Sequence, residues 1–259
     1  MIRKALLCGV VLVFVFAQAA WAHFGMVIPS ADAVMDKGKD AVTLTVAFVH
    51  PMEGEGMDMA MPMEFGMSDG EAKTDLKAGL KEAKVMGHKA WQASQALKKP
   101  GVYSFYVVPE PYWEPAEDCF IQHFTKVVVP AFGEEEGWEK PLGLKTEIVP
   151  LTRPFGNYAG NVFQGKVLLD GKPAAGCPVE VEFYNKDGKY KAPNDYMVTQ
   201  VVMADDAGVF TFAVPWAGWW GFAALNTASE KMAHDGQDKD VELGAVLWTS
   251  FVDPVKGKK

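Results

Sequence analysis

Apolar and polar residues alternate with period two in short runs, and turn-forming residues punctuate the chain between them. Positions 42–49 alternate and are rich in β-branched residues, which predicts a half-buried strand. Positions 101–108 follow a Pro-Gly turn and predict a second, and 119–129 a third, longer one. In the second half, runs at 163–169, 177–184, 196–203, 209–214, 218–225 and 242–251 are separated by Asp170-Gly171, Asp187-Gly188 and Asp205 to Gly208. The stretch 75–97 has a helix-like composition of Ala, Leu, Lys and Glu. Gly79 and Gly87, and the short spacing between neighbouring strands, favour further strands. The pattern predicts an all-β protein of two β-sandwich domains, the first immunoglobulin-like.

The expected organisation has four parts. Residues 1–22 read as an export signal: Arg3 and Lys4, an apolar core at 6–17, and small residues at Ala20 and Ala22 before the cut. Cleavage there leaves His23 as the first residue, in a protein of the periplasm. Residues 23–130 form the N-terminal sandwich and 161–259 the C-terminal one. Between them, 131–160 holds Gly133, the run Glu134-Glu135-Glu136 and Pro141, Pro150 and Pro154, and reads as a linker or crossover with one strand at 144–149.

Charge narrows the partners. The chain carries 25 basic and 33 acidic residues, net −8, and loss of Arg3 and Lys4 makes it −10. Such a surface disfavours nucleic acid and anionic lipid. No apolar run beyond the leader reaches the ~18 residues of a membrane span, so insertion is not expected after cleavage. Of three cysteines, Cys8 lies in the leader, and Cys119 and Cys177 fall in different domains, where two free thiols are the simpler expectation.

Candidate chemistry concentrates on histidines. A free amine and an imidazole on His23 can chelate one ion together, and both must be deprotonated to do so. His50 stands where the strand 42–49 ends. By alternation His123 shares a face with Ile121, Thr125 and Val127, opposite Phe120 and Phe124. Glu114, Glu117 and Asp118 precede that strand. His88 follows Gly87 in a turn, and His234 reads as an exposed turn residue. The run 52–67 holds Met52, Met57, Met59, Met61, Met63 and Met67, read as soft Cu(I) ligands, an adaptable apolar surface, or loop packing. No nucleophile elbow, phosphate loop, H-E-x-x-H or paired C-x-x-C is present, and no enzyme activity is expected.

The segments 22–30 (AHFGMVIPS), 49–51 (VHP), 85–91 (VMGHKAW), 99–103 (KPGVY), 111–123 and 218–222 (GWWGF) carry a resemblance. The chain resembles periplasmic proteins associated with nickel and cobalt uptake, a family of unknown function once grouped with nickel transport subunits. The resemblance implies β-sandwich modules, the C-terminal one similar to transthyretin-like or carboxypeptidase-regulatory-like domains. It also implies delivery of Ni²⁺ or Co²⁺ to a membrane transporter, and it carries over the mature N-terminal histidine. The resulting expectation is a metal site of His23, His50 and His123, completed by His88 or Glu117. Two rivals stand beside it. One is a copper protein, either a carrier or an N-terminal-histidine enzyme. The other is a metal-free interaction module.

Overall fold

The computed structural model describes residues 23–257. The leader, and with it the expected cleavage point, lies outside the described residues. Strands β1 (Phe24–Pro29), β2 (Ala41–His50), β3 (Glu55–Met57), β4 (Glu64–Ser68) and β5 (Lys73–Asp75) open the chain. They are followed by β6 (Lys81–Val85), β7 (His88–Ala96), β8 (Gly101–Val108), β9 (Tyr112–Glu114) and β10 (Cys119–Ala131). Next come β11 (Thr146–Pro150), β12 (Asn157–Tyr158), β13 (Val162–Leu169), β14 (Lys172–Pro173) and β15 (Pro178–Phe183). The last are β16 (Gln200–Met203), β17 (Val209–Ala213), β18 (Gly218–Thr227), β19 (Met232–His234), β20 (Gln237–Lys239) and β21 (Val241–Val252).

The all-β sandwich expectation holds, and 75–97 forms β6 and β7 after a single 3-10 turn at Lys77–Gly79. The run 196–203 is shorter than its pattern suggested: 195–197 is a 3-10 turn, and only β16 pairs.

One sheet runs through both halves, in the order β16-β15-β18-β21-β10-β8-β4-β5. Its seam is the parallel pair β10–β21, from Phe120↔Val241 to Val127↔Trp248. A second sheet, β1-β2-β7-β6, covers one face of it, and a third, β11-β13-β14 with β17, covers the other. Alternate residues of β21 separate the two cores. Val246 and Trp248 pack with Phe24, Met26 and Leu44, while Ala245 and Leu247 pack with Phe163, Val167 and Phe210. A strand buried on both faces needs a near-continuous apolar run, and 243–249 (LGAVLWT) is one. The two sandwiches therefore share their middle layer, so more than the expected linker or crossover joins them. The crossover 131–160 contributes β11, which pairs with β13 from Thr146↔Leu169 to Pro150↔Gly165.

β18 carries the aromatic run in the same two-sided way. Trp220 and Phe222 enter the second core, and Trp219 packs against the first. Cys119 and Cys177 are both free thiols.

A candidate metal site between the first two sheets

Strand register brings the first two histidines together. β1 and β2 run antiparallel with Phe24↔Val49 and Gly25↔Phe48, so the next position of the same register sets His23 opposite His50. Residues opposite one another in an antiparallel pair share a face. The His23 and His50 rings lie 4.7 Å apart between centroids, inclined by 54°. Phe48 stacks on His23 at 5.6 Å and meets His123 edge-on at 5.7 Å. His123 comes from β10 in the facing sheet, on the face with Ile121 and Val127 that alternation predicted. All three histidines are buried, His123 to 1 % exposure.

The anchoring of β1 fixes His23. The indole of Trp248 on β21 donates to the Gly25 carbonyl at 2.8 Å, and Phe24 packs edge-on against the same ring. Gly25 has to be glycine, because a Cβ there would overlap Thr125 Oγ1 and stand 3.0 Å from the His123 Cβ. The second half of the molecule also holds the turn after His50. Glu182 on β15 accepts from the Met52 N–H at 3.1 Å, and the Asn185 side chain donates to the Met52 carbonyl at 3.0 Å.

Carboxylates close the other side. Glu114 sits 3.1 Å from His23 Nε2, and Glu117 3.9 Å from His23 Nδ1. Glu114 is itself oriented by the Ala116 N–H at 2.8 Å. A carboxylate on Nε2 keeps the proton there and leaves Nδ1 as the lone-pair nitrogen. Nδ1 is the ring nitrogen that can close a six-membered chelate with the residue's own amine. Burial, then the neighbouring His50, hold the His23 imidazole down to about 4, against the upward pull of Glu114. His23 is therefore neutral, as a ligand must be. Burial and the nearby Glu242 and Glu114 raise the Glu117 carboxyl above its usual range.

His123 is committed differently. Its Nδ1 accepts the Gly25 N–H at 3.3 Å, and its Nε2 faces Glu242 Oε1 at 3.2 Å. With Nδ1 accepting, the Nε2 proton points at the carboxylate. His123 walls and orients the site, and joins a donor set only by giving up that proton. Among the described residues, no three His, Cys, Asp or Glu side chains converge tightly enough to hold an ion as they stand.

The remaining candidates go elsewhere. His88, half-exposed at the start of β7, pairs with Asp58 at 3.3 Å and is not seen against the other histidines. His234 stacks on Trp113, with centroids 3.7 Å apart. The methionines disperse rather than converge: Met52 enters the second core, Met59 and Met67 enter the first, and Met61 and Met63 are exposed. This is loop packing, not a thioether cluster. Glu242 escaped sequence reading. Its one signal is a lone acid near the start of an apolar strand, two positions before Gly244.

Glu182 provides a test of the grip on the His50 turn. Burial pushes its carboxyl up to about 8, from an ordinary value of 4.5. Between those two values the folded chain holds a proton that the unfolded chain has released, so this group's contribution to stability falls as pH rises from about 4.5 to 8. The stability of wild type relative to Glu182→Gln should fall across that window, by at most about 1.4 kcal/mol per pH unit. Urea unfolding at several pH values checks this, and parallel profiles for the two proteins would refute it.

A β-sandwich carrying a buried imidazole–carboxylate cluster between two sheets is the class of protein defined so far. The chain belongs to the family described as Domain of unknown function (DUF4198), whose model matches residues 20–228. No curated protein matches it. Among solved structures it is similar to the D0-D1 domain of Intimin, at 13 % identity and TM-score 0.24, over 86 % of this chain and 99 % of that one. It is also similar to trypsin-activated alpha-2-macroglobulin from Escherichia coli, at 11 % identity and TM-score 0.24, over 92 % of this chain and 16 % of that one. Among the described residues no helix is long and apolar enough to cross a membrane.

Proposed function

We propose that this chain is a periplasmic metal-binding protein whose site is completed when the leader is removed at Ala22. The amine and Nδ1 of His23 then form a two-nitrogen clasp, with His50 opposite and Glu117 beside it. The observation that supports this reading best is the placement of Glu114 on Nε2 of His23, 3.1 Å away, which leaves the chelating nitrogen free of its proton. Before cleavage the His23 nitrogen is an amide and no donor.

Imidazole, amine and carboxylate donors suit a borderline divalent ion. We assign the cargo as Ni²⁺ or Co²⁺, handed to a membrane transporter. The same donors take Cu²⁺ more tightly under the Irving–Williams order, so affinity alone does not separate the two metals. The dispersed methionines weigh against a Cu(I) carrier.

Calorimetric titration of correctly processed protein with Ni²⁺ tests the proposal. His23→Ala should weaken binding at least tenfold, or about 1.4 kcal/mol. A change below threefold would remove His23 from the site.

A further inference from the structure

Beside the histidines lies a partly open cleft of about 110 Å³ that the metal reading does not use. For scale, an apolar cavity of roughly 150 Å³ accommodates benzene, so this cleft takes a small ligand or one part of a larger one. Its floor is β10, at Ile121 and His123, with the bare backbone of Gly25. Phe48 and Tyr112 form an aromatic corner, with rings 5.9 Å apart and inclined by 59°. Met59, from the methionine-rich loop, is buried against the first core and supplies an adaptable apolar wall.

Charge decides what this cleft can take. The charged residues lining it, Asp58 and Glu110, are both acidic and exposed, and no Lys or Arg lines it. Asp58 already accepts the Lys89 N–H at 2.8 Å and pairs with His88, which holds its carboxylate in place. Glu110 sits between Pro109 and Pro111, in a segment whose side chains also line the cleft. Aromatic faces attract cations through the ring quadrupole, and carboxylates at a partly closed rim add to that attraction. An anion would meet only repulsion. A neutral apolar molecule would gain burial but nothing from the rim.

We propose that this cleft binds a small cation with an apolar organic body. That chemistry has two sources, an organic ammonium ion or a metal ion wrapped in an uncharged aromatic chelator. The second would set the cleft to work with its neighbour, since His123 lines the cleft and Phe48 and Tyr112 also flank His23. The ammonium arm is independent of the metal site, because it needs neither metal nor a processed N-terminus.

The test is equilibrium binding to the full chain, stripped of metal, with matched probes. Choline is compared with its neutral isostere 3,3-dimethylbutanol, and benzyltrimethylammonium with benzyl alcohol. In a separate arm, the cationic 1:1 complex of Ni²⁺ with 2,2′-bipyridine is compared with aqueous Ni²⁺. At least one cation should bind tenfold or more tightly than its comparator, and which arm responds names the source. Glu110→Gln should reduce that preference at least threefold. Ala60→Trp, at an exposed loop position lining the cleft, should abolish probe binding while leaving the melting temperature and the affinity for aqueous Ni²⁺ unchanged. Equal binding of cations and comparators, no binding in either arm, or full binding by Ala60→Trp would each overturn the assignment. Loss of aqueous Ni²⁺ binding alone would instead count against the metal site.

Discussion

Gly244→Ala should destabilise the protein by about 3 kcal/mol and displace His123 from the site. A Cβ at position 244 would stand 2.6 Å from both Cγ and Nε2 of the His123 ring. The ring has little room to retreat. Phe48 meets it edge-on at 5.7 Å, and the Gly25 N–H holds its Nδ1 at 3.3 Å. The ring must tilt, which breaks its contact with Glu242, or β21 must move, which disturbs a strand buried on both faces. The double variant His123→Ala/Gly244→Ala separates overlap from general damage. Because the clash needs the ring, the double variant should be more stable than the sum of the two single losses predicts, by at least about 1 kcal/mol. Strict additivity in chemical denaturation would show that the overlap is not the cause.

The second large effect is expected on the opposite face of β10 from His123. Lys126→Met should cost about 3–5 kcal/mol. Lys126 on β10 reaches Glu147 Oε2 at 3.0 Å, and both side chains are almost wholly buried. Glu147 also accepts the N–H groups of Leu142 and Gly143, each at 2.9 Å. It thereby fastens the 131–160 crossover to the middle sheet. Methionine would fill the lysine's volume but leave a carboxylate buried with two amide donors and no counter-charge. Adding Glu147→Gln removes the charge and keeps an acceptor for the two amides, so it should recover part of the loss. If Lys126→Met unfolds within about 0.5 kcal/mol of wild type, the pair is not what joins these segments.

Much of the fold was legible because its strands are half-buried or bounded by turns. Alternation placed His123 on one face with Ile121 and Val127, and Asp170-Gly171 marked the β13–β14 hairpin. The hairpin expected across Asp205 to Gly208 does not form: β16 pairs with β15 and β17 with β13, so that turn carries the chain from one sheet to another. The seam was not legible. Parallel pairing of β10 with β21 joins residues more than a hundred positions apart, and nothing in either strand's own pattern names its partner. The continuous apolar run of β21 did carry a hint, since burial on both faces removes the polar alternation. At the site, His23 and His50 were identified by type and position, but their meeting depends on the β1–β2 register, in which Phe24 packs on Trp248 from a distant strand. His88 shows the converse. A histidine beside a turn glycine looks available as a ligand, yet the β6–β7 turn leaves it half-exposed and paired with Asp58. Glu242 was hidden because its strand reads as core.

On the function proposed, trimming the leader creates a metal-binding amine on a histidine whose ring is already neutral and oriented. Intact mass of the exported protein, sprayed under native conditions after exposure to Ni²⁺, tests this most directly. The account predicts a chain beginning at His23 that carries one ion, and a His23→Ala chain of the same length that carries none. A chain that begins at another residue yet binds the ion equally well, or a His23→Ala chain that keeps it, would contradict the account.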